Sequence, residues 1–183
     1  MKLNVFTEEA RMINFRKLMI DYFVDELKRS YRRTYSDMQP PVGNVIAWAG
    51  RLALENIANS DTLYHNMEHT ILVTLVGQAI LEGKHLCEGG VKPSDWMHFT
   101  IALLCHDIGY VRGVCRKDRP GVYATGVGDE MIEIGDMGTD AALTPYHVDR
   151  SKRFVAERFG NGLLEGVHVD AEMLAAYIEM TRF

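Results

Sequence analysis

At residues 99–107 the chain reads Phe99-Thr100-Ile101-Ala102-Leu103-Leu104-Cys105-His106-Asp107. The first seven residues would be apolar on nearly every side of a helix, a pattern typical of a helix at the centre of a core. The run ends in an imidazole and a carboxylate, whose burial costs several kcal/mol when they have no partner. Since a bound cation offsets that cost, the stretch predicts a helical core with a metal site at the end of its central helix.

The same helical periodicity recurs along most of the chain, with apolar residues at intervals of three and four. Predicted helices begin near Thr7, Pro40, Asn66, Pro93, Thr144 and Asp170. The helix that begins near Asn66 is predicted to end at Gly83 and to bury an apolar stripe. That stripe consists of Leu72, Leu75, Val76, Ala79 and Ile80. We therefore expect an all-α fold, a single-domain helical bundle over residues 1–183.

Residues 117–143 interrupt this pattern. The segment contains Pro120, Gly121, Gly126, Gly128, Gly135 and Gly138. Structureless segments of this length within a compact domain are usually functional or disordered. We expect residues 117–143 to form an irregular loop that covers a substrate.

The overall composition limits the class of protein. A chain of 183 residues with 47% hydrophobic content is long enough for one domain with a sizeable core. A formal net charge of -5 and a pI near 5.8 provide no broad cationic surface for a nucleic-acid polymer or an anionic membrane. A small charged substrate is easier to accommodate.

The cysteines indicate a reducing compartment. Cys87, Cys105 and Cys115 are odd in number and form no Cys-x-x-Cys pair. The first residues lead directly into Glu8 and Glu9 without a signal-peptide core, and no apolar run approaches membrane-spanning length. We expect a soluble cytoplasmic protein. The oligomeric state stays open, and a homodimer is compatible with the sequence.

A second motif supplies two further imidazoles, in the string Tyr64-His65-Asn66-Met67-Glu68-His69. His65 and His69 are four positions apart, so on a helix they would share one face. Together with His106 and Asp107 they could surround a cation. Imidazole and carboxylate ligands without thiolates favour an open site for one or two divalent ions over a closed structural zinc site. The candidate ions are iron, manganese, nickel, zinc and magnesium.

An early histidine followed by a His-Asp doublet resembles the signature of the HD-domain metal-dependent phosphohydrolase superfamily. His69, His106 and Asp107 match its metal ligands. The resemblance implies an HD-type helical bundle that hydrolyses a small phosphoester, such as a nucleotide. The string Tyr64-His65-Asn66-x-x-His69 is similar, more narrowly, to that of cyclic-nucleotide phosphodiesterases, in which the first histidine protonates the leaving oxygen. By that resemblance His65 is the general acid.

The chain departs from the family pattern after the doublet. The phosphodiesterases carry another histidine there, whereas this chain reads Ile108-Gly109-Tyr110. The superfamily also has a trailing metal-binding aspartate on a later helix. The acids available for that role are Asp129, Asp136, Asp140, Asp149, Asp170, Glu172 and Glu179. None has a context that marks it as the ligand, which leaves open a ligand beyond Phe183 and a chain truncated at its C-terminus.

Four further residues are candidates for the site. Asn66 either caps the helix that carries His69 or takes part in catalysis. His147 could ligate a second ion, hydrogen-bond a phosphate, or serve only in packing. Arg112 and Arg116 follow the doublet closely and could clamp a substrate phosphate, although a solvated basic face is the usual role of such residues.

The favoured hypothesis is a metal-dependent phosphodiesterase or phosphomonoesterase. A metal-activated water attacks phosphorus, and His65 protonates the departing alkoxide. A non-catalytic metal- or nucleotide-binding sensor module is the main alternative, because the trailing aspartate is unassigned. A zincin-type protease fits less well, since Asn66 stands where the His-Glu-x-x-His motif has its glutamate. A purely structural helical protein would bind no metal.

Overall fold

The computed structural model describes residues 14–135 and 137–182, and helices dominate them. The α-helices of this part span Phe15–Tyr35 (α1), Pro40–Ile57 (α2), Met67–Glu88 (α3), Pro93–Cys105 (α4), His147–Phe159 (α5) and Ala171–Glu179 (α6). Short 3-10 helices cover Ile108–Tyr110 and Asp140–Tyr146. Two antiparallel hairpins pair Val122–Ala124 (β1) with Met131–Glu133 (β2), and Leu163–Leu164 (β3) with Val167–His168 (β4). The prediction of a mainly helical protein is confirmed, and no described helix is both long and apolar enough to cross a membrane.

The central helix is α4, as the sequence predicts. It packs against α2, α3 and α6. Trp96 and Leu104 on this helix are completely buried. Because α4 ends at Cys105, the chain delivers His106 and Asp107 to the edge of the core directly after its last turn.

Helix α3 faces the core with a different side from the one that its apolar pattern predicts. The described buried residues of α3 are Met67, Thr70, Thr74, Gly77 and Gln78. Thr74 tolerates burial because its hydroxyl donates a hydrogen bond to the carbonyl of Thr70 at 2.8 Å. Gly77 lets α4 approach so closely that an added Cβ would lie 2.2 Å from Leu103 Cδ1. The predicted buried stripe is instead exposed, with Leu72 61% accessible, so that prediction is wrong.

The predicted end of α3 at Gly83 is also wrong. The helix continues to Glu88 and ends where Gly89 takes a φ of 69°. A glycine inside a helix costs about 1 kcal/mol relative to alanine. Packing of α3 against α4 offsets that cost, whereas the left-handed backbone at Gly89 cannot continue a helix.

Three predicted helix starts can be compared with the structure. The predicted start of the first helix at Thr7 lies outside the described residues, and α1 is capped by the side chain of Asn14. The prediction of a helix from Thr144 is shifted, because Asp140–Tyr146 forms a 3-10 helix and α5 begins at His147. The predicted cap of α6 at Asp170 is confirmed, since its carboxylate accepts two backbone N–H bonds of the first turn.

That residues 117–143 form a loop covering a substrate stays a prediction. Their described part contains the β1–β2 hairpin and the start of the second 3-10 helix, joined by irregular turns. A buried ion pair organises it. Arg150 on α5 and Asp118 lie 2.9 Å apart, and their side chains are 0% and 1% exposed. Arg150 also donates to the carbonyls of Gly109, Val111 and Ala124. The carboxylate of Asp118 accepts the backbone N–H groups of Gly113, Cys115 and Ala124.

Candidate metal centre

Three imidazole rings converge on one carboxylate oxygen at the end of α4. The Oδ2 atom of Asp107 lies 2.7 Å from His65 Nδ1 and 3.3 Å from His69 Nε2. The same oxygen lies 3.0 Å from His106 Nε2. The side chains of Asp107 and His106 are nearly buried, and that of His65 is 33% exposed. The cluster is therefore anchored in the core and opens to solvent at His65.

The spacing of these atoms suits a shared divalent ion. The ligand atoms of His65, His69 and Asp107 all lie within 4.8 Å of one another. Metal bonds of about 2.0–2.1 Å place neighbouring ligand atoms about 2.8–3.0 Å apart around an octahedral ion and about 3.3–3.4 Å apart around a tetrahedral one. The three nitrogen–oxygen distances at Asp107 lie within or just below the span of these values. This group could therefore hold a metal ion, and His106 offers a further ligand atom.

The turn before α3 positions the first two histidines. Asn66 caps the helix, because its Oδ1 accepts the backbone N–H of His69 at 3.0 Å. Thr62 Oγ1 donates to the carbonyl of His65 at 2.7 Å. His65 thus lies in the coil before α3 and His69 in its first turn, so the expectation that they share one helical face is wrong. The turn still brings their ring centroids to 5.5 Å.

The ring of His106 is oriented by the backbone. Its Nδ1 lies 2.7 Å from the carbonyl oxygen of Leu103. Since a carbonyl only accepts, Nδ1 carries a proton and Nε2 is the atom that faces Asp107. A backbone partner of this kind fixes the tautomer of a metal-binding histidine.

Helix α5 locks the turn that follows the doublet. Ser151 Oγ donates to the carbonyl of His106 at 2.8 Å and accepts the backbone N–H of Gly109 at 2.9 Å. An added Cβ at Gly109 would lie 1.9 Å from the carbonyl oxygen of His147. Only glycine fits at this position, because α5 passes directly over the turn.

The electrostatics of the cluster keep its carboxylate ionised. Burial raises the pKa of Asp107, but hydrogen bonds and charge from His106 and His65 outweigh it and hold that pKa at about 2. Burial lowers the pKa of His106, while its hydrogen bond to Asp107 and the charge of that carboxylate raise it further than burial lowers it. Burial dominates at His69 and lowers its pKa, which favours the neutral ring that binds metals.

A stack of three rings continues from the cluster. The rings of His65 and Tyr110 are 4.3 Å apart at an angle of 16°, and those of Tyr110 and His147 are 4.4 Å apart at 20°. His147 Nδ1 lies 2.7 Å from the carbonyl of Thr144, so it carries a proton and leaves Nε2 free to accept. The structure therefore places His147 beside His65, at a centroid distance of 6.2 Å.

The two candidate arginines are engaged within the fold. Arg112 donates to the carboxylates of Asp61 and Asp140. It thereby ties the coil before α3 to the second 3-10 helix. The Nη2 atom of Arg116 donates to the carbonyl of Glu157 on α5 at 2.7 Å. Phosphate binding stays a prediction for both, and it would require Arg112 to exchange its partners.

Most of the acids considered for the trailing ligand have partners within the chain, and Asp136 lies outside the described residues. Asp129 pairs with Lys117, Asp149 and Glu179 pair with Lys152 and Arg182, Asp140 pairs with Arg112, and Asp170 and Glu172 lie at the start of α6. These contacts stabilise the fold. The identity of a trailing ligand stays a prediction.

Three residues that build the site were missed by sequence reasoning. Tyr110 separates the two histidines of the stack, and Ser151 and Arg150 hold the turns that follow α4. The sequence did contain a sign of Ser151 and Arg150. They lie at buried positions of α5, between Val148 and Phe154, where polar residues need internal partners.

Comparison with known protein families assigns the chain to one family. A family model described as Npun_R2479-like matches residues 13–183. The chain belongs to the Npun_R2479-like family. No curated protein and no solved structure matches it. The match includes all four residues of the candidate metal site of this family member, His65, His69, His106 and Asp107.

The capping role of Asn66 in this Npun_R2479-like chain can be tested separately from a catalytic one. We expect Asn66→Ala to lower the free energy of unfolding by about 1 kcal/mol, because the N–H of His69 loses its acceptor. Asn66→Asp keeps a capping oxygen and should restore stability. Urea unfolding measures both. A variant Asn66→Asp that is stable but has lost activity would show that the amide does more than cap the helix.

Proposed function

We propose that this chain is a metal-dependent phosphohydrolase with an HD-type helical bundle. The observation that carries the proposal is the convergence of three imidazole nitrogens within 3.3 Å of Asp107 Oδ2. An ionised carboxylate among imidazoles suits one or two divalent ions of iron, manganese, nickel, zinc or magnesium. The substrate class, a small phosphoester such as a nucleotide or cyclic nucleotide, rests on the resemblance of the two histidine motifs to the HD-domain enzymes.

The resemblance to the HD-domain enzymes implies that His69, His106 and Asp107 would hold the ion, with His65 beside them left for proton transfer. A divalent cation bound there supplies a water of lowered pKa and neutralises charge on the phosphoryl oxygens. His106 contributes Nε2, because its Nδ1 is fixed by Leu103. His69 is held in the first turn of α3 by the Asn66 cap. These supports keep the ligand atoms in place before the ion arrives, which lowers the cost of binding it.

His65 is placed to transfer a proton to the leaving group. Its Nδ1 is held by Asp107, which leaves Nε2 for a substrate oxygen. The stacked ring of Tyr110 fixes the plane of the imidazole. His147, on the other face of Tyr110, offers Nε2 to a proton-bearing phosphate oxygen or a second ion. The ring stack thus lines one side of the place where a phosphoester would lie.

If His65 is the general acid and not a ligand, removing its side chain should lower turnover without lowering metal binding. We expect His65→Ala to keep its metal content while kcat falls about 10²–10⁴-fold. His168→Ala, which removes an exposed histidine on β4, is the matched control and should change neither quantity. Metal content is measured by elemental analysis. Turnover is measured on a panel of cyclic nucleotides, nucleoside monophosphates and generic phosphodiesters.

Two results would decide against this proposal. Unimpaired turnover by His65→Ala would remove the general acid. A metal-loaded wild-type protein that hydrolyses nothing in the panel would count against the phosphohydrolase itself.

The second candidate function is a metal- or nucleotide-binding sensor module without catalysis. It is favoured by the internal partners of Arg112 and of the acids considered as trailing ligands. Nucleotide binding without hydrolysis, measured by calorimetry on the metal-loaded protein, would support it. We place either function in the cytoplasm, because Cys87, Cys105 and Cys115 are free thiols.

A further inference from the structure

Helices α1 and α3 present large apolar side chains to solvent. On α3 these are Leu72, Leu75, Val76, Ile80 and Leu86, and on α1 they are Phe15, Leu18, Met19 and Tyr22. We call these nine residues the α1–α3 face. Most of its members are more than half exposed, and Phe15 is 75% exposed. Scattered apolar residues are normal on a surface, but nine on two neighbouring helices need an explanation.

The α1–α3 face is continuous across the two helices. A groove of about 360 Å³ runs between them, with Met19 and Tyr22 on one wall and Leu72 and Leu75 on the other. Along α3 the apolar positions recur at three and four, from Leu72 to Leu86. This is the spacing of a helix that packs lengthwise against another helix.

We propose that the α1–α3 face is the interface of a homodimer, in which α3 of one chain packs against α3 of a second copy. The exposed fractions of the nine side chains correspond to roughly 800 Å² of apolar surface. Covering all of that surface would match the roughly 800 Å² that each partner contributes to a standard protein interface. It exceeds the patches of about 300–600 Å² that typical monomers expose.

The charges near the face suit pairing with an identical surface. Acidic Glu26 and Glu68 border the groove, and basic Arg29 lies over the ring of Tyr22 at 5.8 Å. Lys84 and Glu88 add an exposed pair of opposite charges on α3. In a two-fold arrangement each copy presents both signs to the other, whereas a border of one sign would repel its own copy.

In the proposed dimer, the two-fold axis would pass close to the middle of α3. Ala79 and Gly83 are exposed there between Val76, Ile80 and Leu86. Small residues at this level let two helix backbones approach while the larger side chains pack around them. The same pairing explains why α3 turns its threonines inward and its apolar stripe outward. This inference does not depend on the proposed hydrolase activity.

The full-length chain tests the dimer by sedimentation equilibrium. We expect twice the chain mass of 20.7 kDa at about 10 μM protein. Ile80→Glu would place two unpaired carboxylates in the interface, so the dissociation constant should rise by at least about 100-fold. Met180→Glu is the matched control, since Met180 is 77% exposed at the end of α6 and should leave the dimer intact. Circular dichroism of each variant would check that its helices are kept.

Cross-linking provides a second, independent result. In a Cys87→Ser background, Ile80→Cys should form a disulfide-linked dimer on mild oxidation, whereas Met180→Cys should not. A wild-type chain that stays monomeric would overturn the proposal, whether the face is covered by another protein or by the chain's own first residues. A dimer that withstands Ile80→Glu and fails to cross-link through residue 80 would overturn it as well.

Discussion

Asp107→Asn and His106→Ala are both expected to abolish stoichiometric metal binding. Nitrogen atoms of all three imidazoles lie within 3.3 Å of one carboxylate oxygen of Asp107. Replacing the carboxylate with an amide removes its negative charge and keeps the shape of the side chain. His106→Ala removes a nearly buried nitrogen that lies 3.0 Å from that carboxylate. We expect the affinity for the preferred ion to fall at least about 100-fold in each variant, with loss of any metal-dependent turnover.

Calorimetric titration with each candidate ion and elemental analysis of the purified variants measure this loss. Asp129→Asn is the control, because Asp129 is exposed and pairs only with Lys117 among its described neighbours. An Asp107→Asn variant with the metal affinity of the wild type would show that the cluster is not the metal site. His65→Ala provides the internal contrast, since it should lose turnover and keep the ion.

Arg150→Ala is expected to cause the largest loss of stability in the molecule. The substitution leaves Asp118 buried without its counter-ion and removes the donors to three carbonyl groups. Breaking a buried pair from one side typically costs about 3–5 kcal/mol. Arg150→Lys should recover only part of this, because an ammonium group cannot reproduce the planar set of donors.

Urea unfolding of the two Arg150 variants and of Lys117→Ala gives the comparison. Lys117 makes an exposed pair with Asp129, for which we expect a loss of less than about 1 kcal/mol. The double variant Arg150→Ala with Asp118→Ala should lose less than the sum of the single variants, because each single variant strands the other group. Additive losses would show that the two side chains act independently.

Much of the helical framework could be predicted because its signals are local. The apolar run before His106 predicts a central helix, and α4 is central in the structure. Caps such as Asp170 and breaks such as Gly160 also act within a few residues of their own position. The approach of His69 to the His106–Asp107 doublet follows from the same helices, since α3 and α4 pack together.

Two features that the sequence did not predict depend on residues distant in sequence or on what covers a helix face. The order of the segment after Lys117 depends on Asp118 and Arg150, which are 32 positions apart. The orientation of α3 could not be read from its periodicity, because the pattern defines an apolar face without saying what covers it. Thr70 and Thr74 can be buried only because their hydroxyl groups bond to the helix's own carbonyls.

The two histidines of one motif lie on either side of the helix cap Asn66, and different contacts hold them. His69 belongs to a helix anchored along its length, whereas His65 sits in a short bend held by Thr62 and by its contact with Asp107. Under the proposed roles, an insertion in that bend would displace the general acid His65 and spare the ligands His69, His106 and Asp107. Evolution could then remove turnover from a relative of this chain while its metal binding is kept.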